Sequence, residues 1–338
     1  MFTQSSLKYQ ALHALMLLAL VCSSCKNSTP ATSHETAAEV KTQAAVQHPS
    51  DTLPAPTQVQ SVVTVHSGKM KRDIDNTITL PQGYLAQGDN TCYPVVYLLH
   101  GYGDTHASWS QKFDLKDAAT KHGVIIVCPD GQNSWYLDSP VDSTMQFETY
   151  VATELVNYID THYRTRADKA SRAITGLSMG GHGALFLAMR HPEVFGSCGS
   201  MSGGVDITKF PDRWMLDKRL GKYAANKKAW ADHSVINLVA RLKPGQLNII
   251  VDDGSQDFFY EVNMALHAAL DKQGIKHDFS TRPGNHSWKY WCESLPKHLD
   301  FFDQAFAGKE VVCKTSINKS PTSPKAASSD TIKKKTNN

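Results

Sequence analysis

Residues 172–190 read RAITGLSMGGHGALFLAMR, and the fold turns on how this stretch is read. Arg172 to Thr175 has the β-branched, apolar character of a short buried strand, and Met179 to Arg190 has the spacing and length of a helix. Between them stands Gly176-Leu177-Ser178-Met179-Gly180, a G-x-S-x-G. Alone that pattern is weak, because small residues recur by chance. Between a strand and a helix it describes a sharp turn in which the glycines leave room for close backbone approach. The serine hydroxyl is then lifted off the end of the strand. The competing reading is a glycine-rich turn without chemistry.

The same alternation extends in both directions. Upstream, VQSVVTVHS (59–67) and KRDIDNTITL (71–80) suit strands, YPVVYLL (93–99) is a continuous apolar strand, 114–122 is helical, and 124–127 is a strand. Residues 146–163 carry Phe147, Tyr150, Val151, Leu155, Tyr158 and Ile159 at helical spacing. Downstream, strands are expected at 194–201, 247–251 and 276–280, and helices at 258–273 and 288–306, with a polar, helix-prone insertion at 208–242. Apolar strands alternating with helices imply an α/β fold, its mostly parallel central sheet covered by helices on both faces. No internal repeat occurs, and one domain, 58–307, accounts for everything between the tails.

The chain has 338 residues, 41% of them hydrophobic and 20% charged, with a formal net charge of +3. Much of the surplus lies in the terminal stretch 308–338, at Lys309, Lys314, Lys319, Lys325 and Lys333 to Lys335, which reads as a disordered basic tail. No nucleic-acid footprint is expected on the core.

The N-terminus reads as an export signal. Lys8 precedes the apolar run ALHALMLLALV (11–21), which fits a secretory core segment and is shorter than the ~20 apolar residues a membrane-spanning helix needs. Cys22-Ser23-Ser24-Cys25 follows and resembles a bacterial lipoprotein signal, in which the cysteine becomes the first residue and its thiol takes a diacylglycerol. Cys25 is the better candidate, since two serines precede it; Cys22 departs from the aliphatic residue usual there. The resemblance implies a signal at 1–25 and a lipid-tethered protein of the bacterial cell envelope, periplasmic or outer-membrane. Residues 26–57, rich in Ala, Thr, Ser, Pro and Gln, read as a flexible tether. Cys92, Cys128, Cys198, Cys292 and Cys313 remain, an odd number whose spacing shows no disulfide framework; Cys128 and Cys198 lie in strand-like runs as buried hydrophobes.

A serine hydroxyl needs a base to act as a nucleophile at neutral pH, and the base needs a carboxylate to orient it. His286, in Arg282-Pro283-Gly284-Asn285-His286-Ser287-Trp288, falls in a loop between a strand and a helix, where such folds present their sites. His191, His233, His267, His277 and His298 fall within elements or polar surroundings and read as structural. Asp252, Asp253 and Asp257 all follow the 247–251 strand, and each competes with a turn or helix-capping role. The glycine-rich His100-Gly101-Tyr102-Gly103-Asp104 follows a buried strand and can aim backbone N–H groups inward; Tyr102 and Met179 N–H are the expected oxyanion donors. Trp109, Trp135 and Trp288, with Tyr136 and Trp291, are candidates to line a substrate site; core packing is the competing reading. No metal or other cofactor is expected: there is no H-E-x-x-H and no paired ligand spacing.

HGYGD, GLSMGGHGALFLAMRHPEVF, GSMSGG, DDGSQDFF and PGNHSWKYW together resemble the esterase family that includes S-formylglutathione hydrolase (esterase D), antigen-85-type acyltransferases, and feruloyl and acetylxylan esterases. The resemblance covers nearly all of 60–306 and implies an α/β-hydrolase fold. It carries the nucleophile to Ser178, the base to His286 and the acid to Asp257, which closes a D-x-G-x-x-D-x-F stretch that Asp252 or Asp253 opens. It implies ester hydrolysis, and the expected export points to short acyl groups on a small-molecule or glycan ester as the substrate. A thioesterase, an acyltransferase or a non-catalytic surface binder on the same scaffold are the alternatives, since a fold does not dictate a function.

Overall fold

A computed structural model describes residues 56–86, 91–308 and 313. The leader, Cys25, nearly all of the tether and most of the basic tail lie outside these residues. Eight strands form one sheet: β1 (Gln60–Ser67), β2 (Arg72–Thr79), β3 (Val95–Leu99), β4 (Ile125–Pro129), β5 (Arg172–Gly176), β6 (Ser197–Met201), β7 (Asn248–Gly254) and β8 (Asp278–Arg282). Their order is β1-β2-β4-β3-β5-β6-β7-β8. β1 pairs antiparallel with β2, and β2 antiparallel with β4; every later pairing is parallel.

The central strands are apolar on both faces because helices cover both. Val95, Tyr97, Leu99, Ile125, Val127, Ile174, Cys198, Ile249 and Val251 belong to one buried cluster. Their alternates Val96, Leu98, Ile126, Cys128, Ala173 and Ile250 belong to the other, as the two-residue period of a strand demands. The second face is closed by α1 (Leu115–His122), through Leu115, Ala118 and Ala119, and by a C-terminal helix through Trp291, Leu295, Leu299, Phe302 and Phe306. The first face is closed by α2 (Val156–His162), α3 (Met179–Arg190) and α4 (Tyr260–Lys272); the C-terminal helix is α5 (Trp288–Phe306). Local signals set the ends of α1: Asp114 accepts from the Lys116 and Asp117 amides, and Gly123 closes the helix at φ 59°.

The helix expected at 146–163 is interrupted. A short α segment, Phe147–Thr149, passes through a π-turn, Tyr150–Leu155, before α2 resumes the α geometry. The insertion at 208–242 is a chain of short helical turns whose Leu216, Leu220, Trp230, Val235 and Leu238 join the first-face core. It is part of the domain and packs over α3, where His182 Nε2 meets the His233 carbonyl at 2.9 Å. Cys313, expected in the tail, is disulfide-bonded to Cys92 across 221 residues and bridges antiparallel to Arg166. Covalent structure therefore extends past residue 307.

Candidate active site

The turn between β5 and α3 holds Ser178 at φ 54°, ψ −116°, a region non-glycine residues rarely adopt. Such strain costs of order 1–3 kcal/mol and persists only where the surroundings over-determine it. They do so here: the Ser178 amide donates to Met201 O at 2.9 Å, the Gly180 amide to Leu177 O at 2.7 Å, and the His182 amide to Ser178 O at 3.0 Å. Both flanking glycines are required by space. A Cβ at Gly180 would lie 2.6 Å from the carbonyl oxygens of Leu99 and His100, and one at Gly176 would lie 2.7 Å from the Gly180 carbonyl and Leu99 Cβ.

His286 reaches the serine from the loop between β8 and α5. Its Nε2 lies 2.9 Å from Ser178 Oγ, and its Nδ1 lies 2.8 and 3.0 Å from the two carboxylate oxygens of Asp257. An ionised carboxylate only accepts, so Nδ1 carries the proton and Nε2 is free to take the serine hydroxyl's. The Asp257 side chain is fully buried, and its Oδ1 also accepts from the Phe259 amide at 2.8 Å. The acid and base loops are stitched by backbone bonds, Ser255 N–H to Arg282 O and Gln256 N–H to Gly284 O, each 2.9 Å. Gly254 allows this: a Cβ there would meet Gly284 O at 2.5 Å.

The two rival aspartates have other partners. Asp252 takes a two-pronged ion pair from Arg282 Nη1 at 2.8 and 2.9 Å and a hydrogen bond from the Tyr290 hydroxyl. Asp253 is buried, accepting from the Gly254 amide and Asn263 Nδ2, both at 2.8 Å. Burial, added to by the charge of Asp257, pushes its carboxyl up to about 8. That shift disfavours the charged carboxylate that an imidazolium needs beside it.

The expected oxyanion loop lies against the serine: a Cβ at Gly101 would come 3.6 Å from Ser178 Cβ. Met179 is the first residue of α3, so its N–H has no intrahelical acceptor. Tyr102 N–H donates to no acceptor among the described residues. Its neighbours are tied down. The Gly103 amide donates to Asn133 Oδ1 at 2.8 Å. The His100 ring accepts from the Gly131 amide at Nε2, leaving Nδ1–H to donate to Gly101 O, both at 2.8 Å. Tyr136 then clamps the His100 backbone, accepting from its amide at 3.1 Å and donating to its carbonyl at 3.2 Å.

The tryptophans expected to line the site divide. Trp109 is fully buried and donates its indole N–H to Leu99 O at 3.0 Å; it is a core side chain. Trp135, 1% exposed, donates to Trp214 O at 3.2 Å and is also core. Trp288 is half-buried, edge-on to Trp109 and Trp291, and Trp291 in turn stands edge-on to His286 with centroids 4.9 Å apart. Two more rings stand on the base that were not among the expected ones, Phe258 at 4.2 Å, nearer than Trp291, and Phe259 at 5.4 Å, with Trp214 stacked on Phe258. The repeated Phe after Asp257 was the available signal. Clusters that could ligate a metal, His267/Asp271/His277 and His122/Asp300/Asp303, include no residue of the Ser178–His286–Asp257 relay.

Comparison with known proteins agrees with this architecture. Over 168 residues the chain is 34% identical to an endo-1,4-beta-xylanase/feruloyl esterase of Xylanibacter ruminicola, covering 46% of this chain and 22% of that one. An acetyl esterase of Caldicellulosiruptor saccharolyticus is 25% identical over 230 residues, 64% of this chain and 85% of the relative. The chain thus spans about a fifth of the first relative's length and most of the second's. Among solved structures, a ferulic acid esterase superposes with a TM-score of 0.63 at 29% identity, covering 73% of this chain and 98% of its own. Residues 67–302 match the Esterase family, and the chain belongs to that family of α/β-hydrolase-fold proteins.

Proposed function

We propose that this protein is an exported serine carboxylesterase that removes short acyl groups from acylated carbohydrates. The observation that carries the reading is His286 bridging Ser178 Oγ and the buried Asp257 at hydrogen-bond distance on both sides. In the first half-reaction His286 Nε2 takes the hydroxyl proton while Ser178 Oγ attacks the ester carbonyl. Charge moves to the carbonyl oxygen, which the Tyr102 and Met179 amides receive. Each such donor contributes about 2.7–4 kcal/mol of transition-state stabilisation. The imidazolium, steadied by Asp257, then protonates the leaving alcohol. Water deprotonated by His286 releases the acid from the acyl-serine.

The carbohydrate part rests on the relatives, whose names join esterase activity to a xylanase and to acetyl groups. Export rests on the N-terminal sequence, with Cys25 as the lipid-bearing residue. It is supported by the Cys92–Cys313 disulfide, a bond that persists in oxidising compartments. In a Cys25→Ala variant the protein should move from the membrane to the soluble fraction; unchanged fractionation would remove the lipid anchor from the reading.

The direct test of the activity uses p-nitrophenyl acetate, butyrate, octanoate and laurate with wild type and Ser178→Ala. Turnover on the short chains should be abolished by the substitution. Equal rates for the two proteins would show that Ser178 is not the nucleophile.

A further inference from the structure

Large apolar side chains are seldom left open to water beside a catalytic base without a use. The described residues expose four large hydrophobics, Val62, Val141, Met215 and Phe258. Of these, Phe258, 55% exposed, stands on the His286 ring, and Met215, 45% exposed, follows Trp214, whose ring stacks on Phe258. One face of Phe258 meets the His286 ring, centroids 4.2 Å apart with 37° between planes. Phe258 also stacks on Trp214, at 5.7 Å and 22°. Trp214 comes from the 208–242 insertion and is held from behind by Phe259 at 5.2 Å and Phe210 at 5.6 Å, while its carbonyl receives the Trp135 indole N–H.

The backbone is committed to this arrangement. Trp214 and Met215 both have left-handed φ, 50° and 53°. Two consecutive non-glycine residues there cost roughly 1–2 kcal/mol each. The strain turns Trp214 onto Phe258 and leaves the next side chain, Met215, in water.

The position of this surface decides which half of an ester it would meet. His286 must hand its proton to the leaving oxygen, which therefore comes within hydrogen-bond reach of Nε2. The carbonyl oxygen points the other way, to the Tyr102 and Met179 amides. A group carried on the leaving oxygen passes the ring of the base, and the ring nearest to that base is Phe258, at 4.2 Å. The surface is an open step, so it suits a ring with one apolar face and a polar rim that stays hydrated. A long alkyl chain would need enclosure on all sides.

Building on the serine-esterase reading, we propose that Phe258, Trp214 and Met215 form the alcohol-side specificity platform, and that the alcohol it receives is a sugar ring lying with its C–H face on the aromatic step. The insertion thereby sets which acylated alcohol is cleaved, while the oxyanion side handles the acyl group.

The test holds the acyl group constant and varies the alcohol. kcat/KM is measured on ethyl acetate and on acetylated xylobiose for wild type, Phe258→Ala, Phe258→Tyr and Met215→Ala. Ethyl acetate and ethyl butyrate give the acyl preference. The ratio of sugar acetate to ethyl acetate should fall about tenfold in Phe258→Ala, mainly through KM, the scale at which one apolar contact discriminates substrates. Met215→Ala should lower it less, and Phe258→Tyr should restore it, while the acetate-to-butyrate preference stays fixed. An unchanged sugar-to-ethyl ratio would overturn the platform, and a shifted acetate-to-butyrate preference would place these side chains on the acyl side. Turnover of ethyl acetate by Ser178→Ala, run in parallel, would instead overturn the serine mechanism beneath the proposal.

Discussion

At the scale of single residues the site separates three neighbouring aspartates by what each one touches. Asp252 is neutralised by Arg282, Asp253 is buried among neutral donors, and Asp257 alone meets the Nδ1 of His286. Their roles differ although the three lie within six residues of chain. Asp257→Asn should cut kcat roughly 10⁴-fold, because an amide no longer fixes the tautomer that leaves Nε2 free to accept. Asp253→Asn keeps the shape of a side chain that does not touch His286 and should keep activity within a few-fold. Steady-state kinetics on p-nitrophenyl acetate separate the two. Near-wild-type rates for Asp257→Asn with a collapse for Asp253→Asn would reverse the assignment.

At the scale of elements, α5 both delivers the loop of His286 and seals the second face of the sheet. Its His298 is fully buried against β5 and β6: Nδ1 meets Thr175 Oγ1 at 2.8 Å, and a Cβ at Gly199 would come 2.4 Å from the same atom. Burial lowers this histidine to about 4, against 6.5 for an exposed one. The unfolded chain therefore binds a proton between these values that the folded chain does not. The contribution is complete above 6.5 and is lost as pH falls toward 4. From pH 7 to pH 5 the wild type should lose roughly 2 kcal/mol through His298. His298→Gln should show a shallower loss over that interval in urea denaturation, whatever its absolute stability; parallel pH dependences would contradict the assignment. Sequence reading reached these elements unevenly, for physical reasons. The strands were legible because strands covered on both faces are apolar without break, and Ser178 and His286 because strand–turn–helix and strand–loop–helix transitions surround them. The tryptophans were not: indole size signals burial or recognition equally, and only the partner atoms, such as Leu99 O for Trp109, decide. The π-turn at Tyr150–Leu155 was also hidden, since one extra residue per turn barely alters an apolar spacing. The ring cluster on His286 joins Trp214 to Phe258 across 44 residues, a contact no local pattern contains.

For the molecule as a whole, the longest covalent closure is the Cys92–Cys313 bond, which spans 221 residues and encloses every strand from β3 to β8. Spacing could not reveal it, because pairing over such a distance depends on where the ends of the domain meet. Cys92 directly precedes the bridge between Tyr93 and Thr165, and Cys313 pairs with Arg166 one residue further on. The disulfide thus fastens Cys313 beside the end of the sheet where the chain enters β3. Closing a long loop restricts the unfolded chain, and loss of a native disulfide costs about 2–5 kcal/mol in small secreted domains. Cys313→Ser should lower the denaturation midpoint accordingly, and a reductant should lower the wild type to the variant's value without changing the variant. The Ser178–His286–Asp257 geometry depends on the β5, β7 and β8 loops, so kcat at 25 °C should be retained in Cys313→Ser while thermal inactivation is faster. A variant with wild-type resistance to urea and heat would show that the bond contributes nothing to stability.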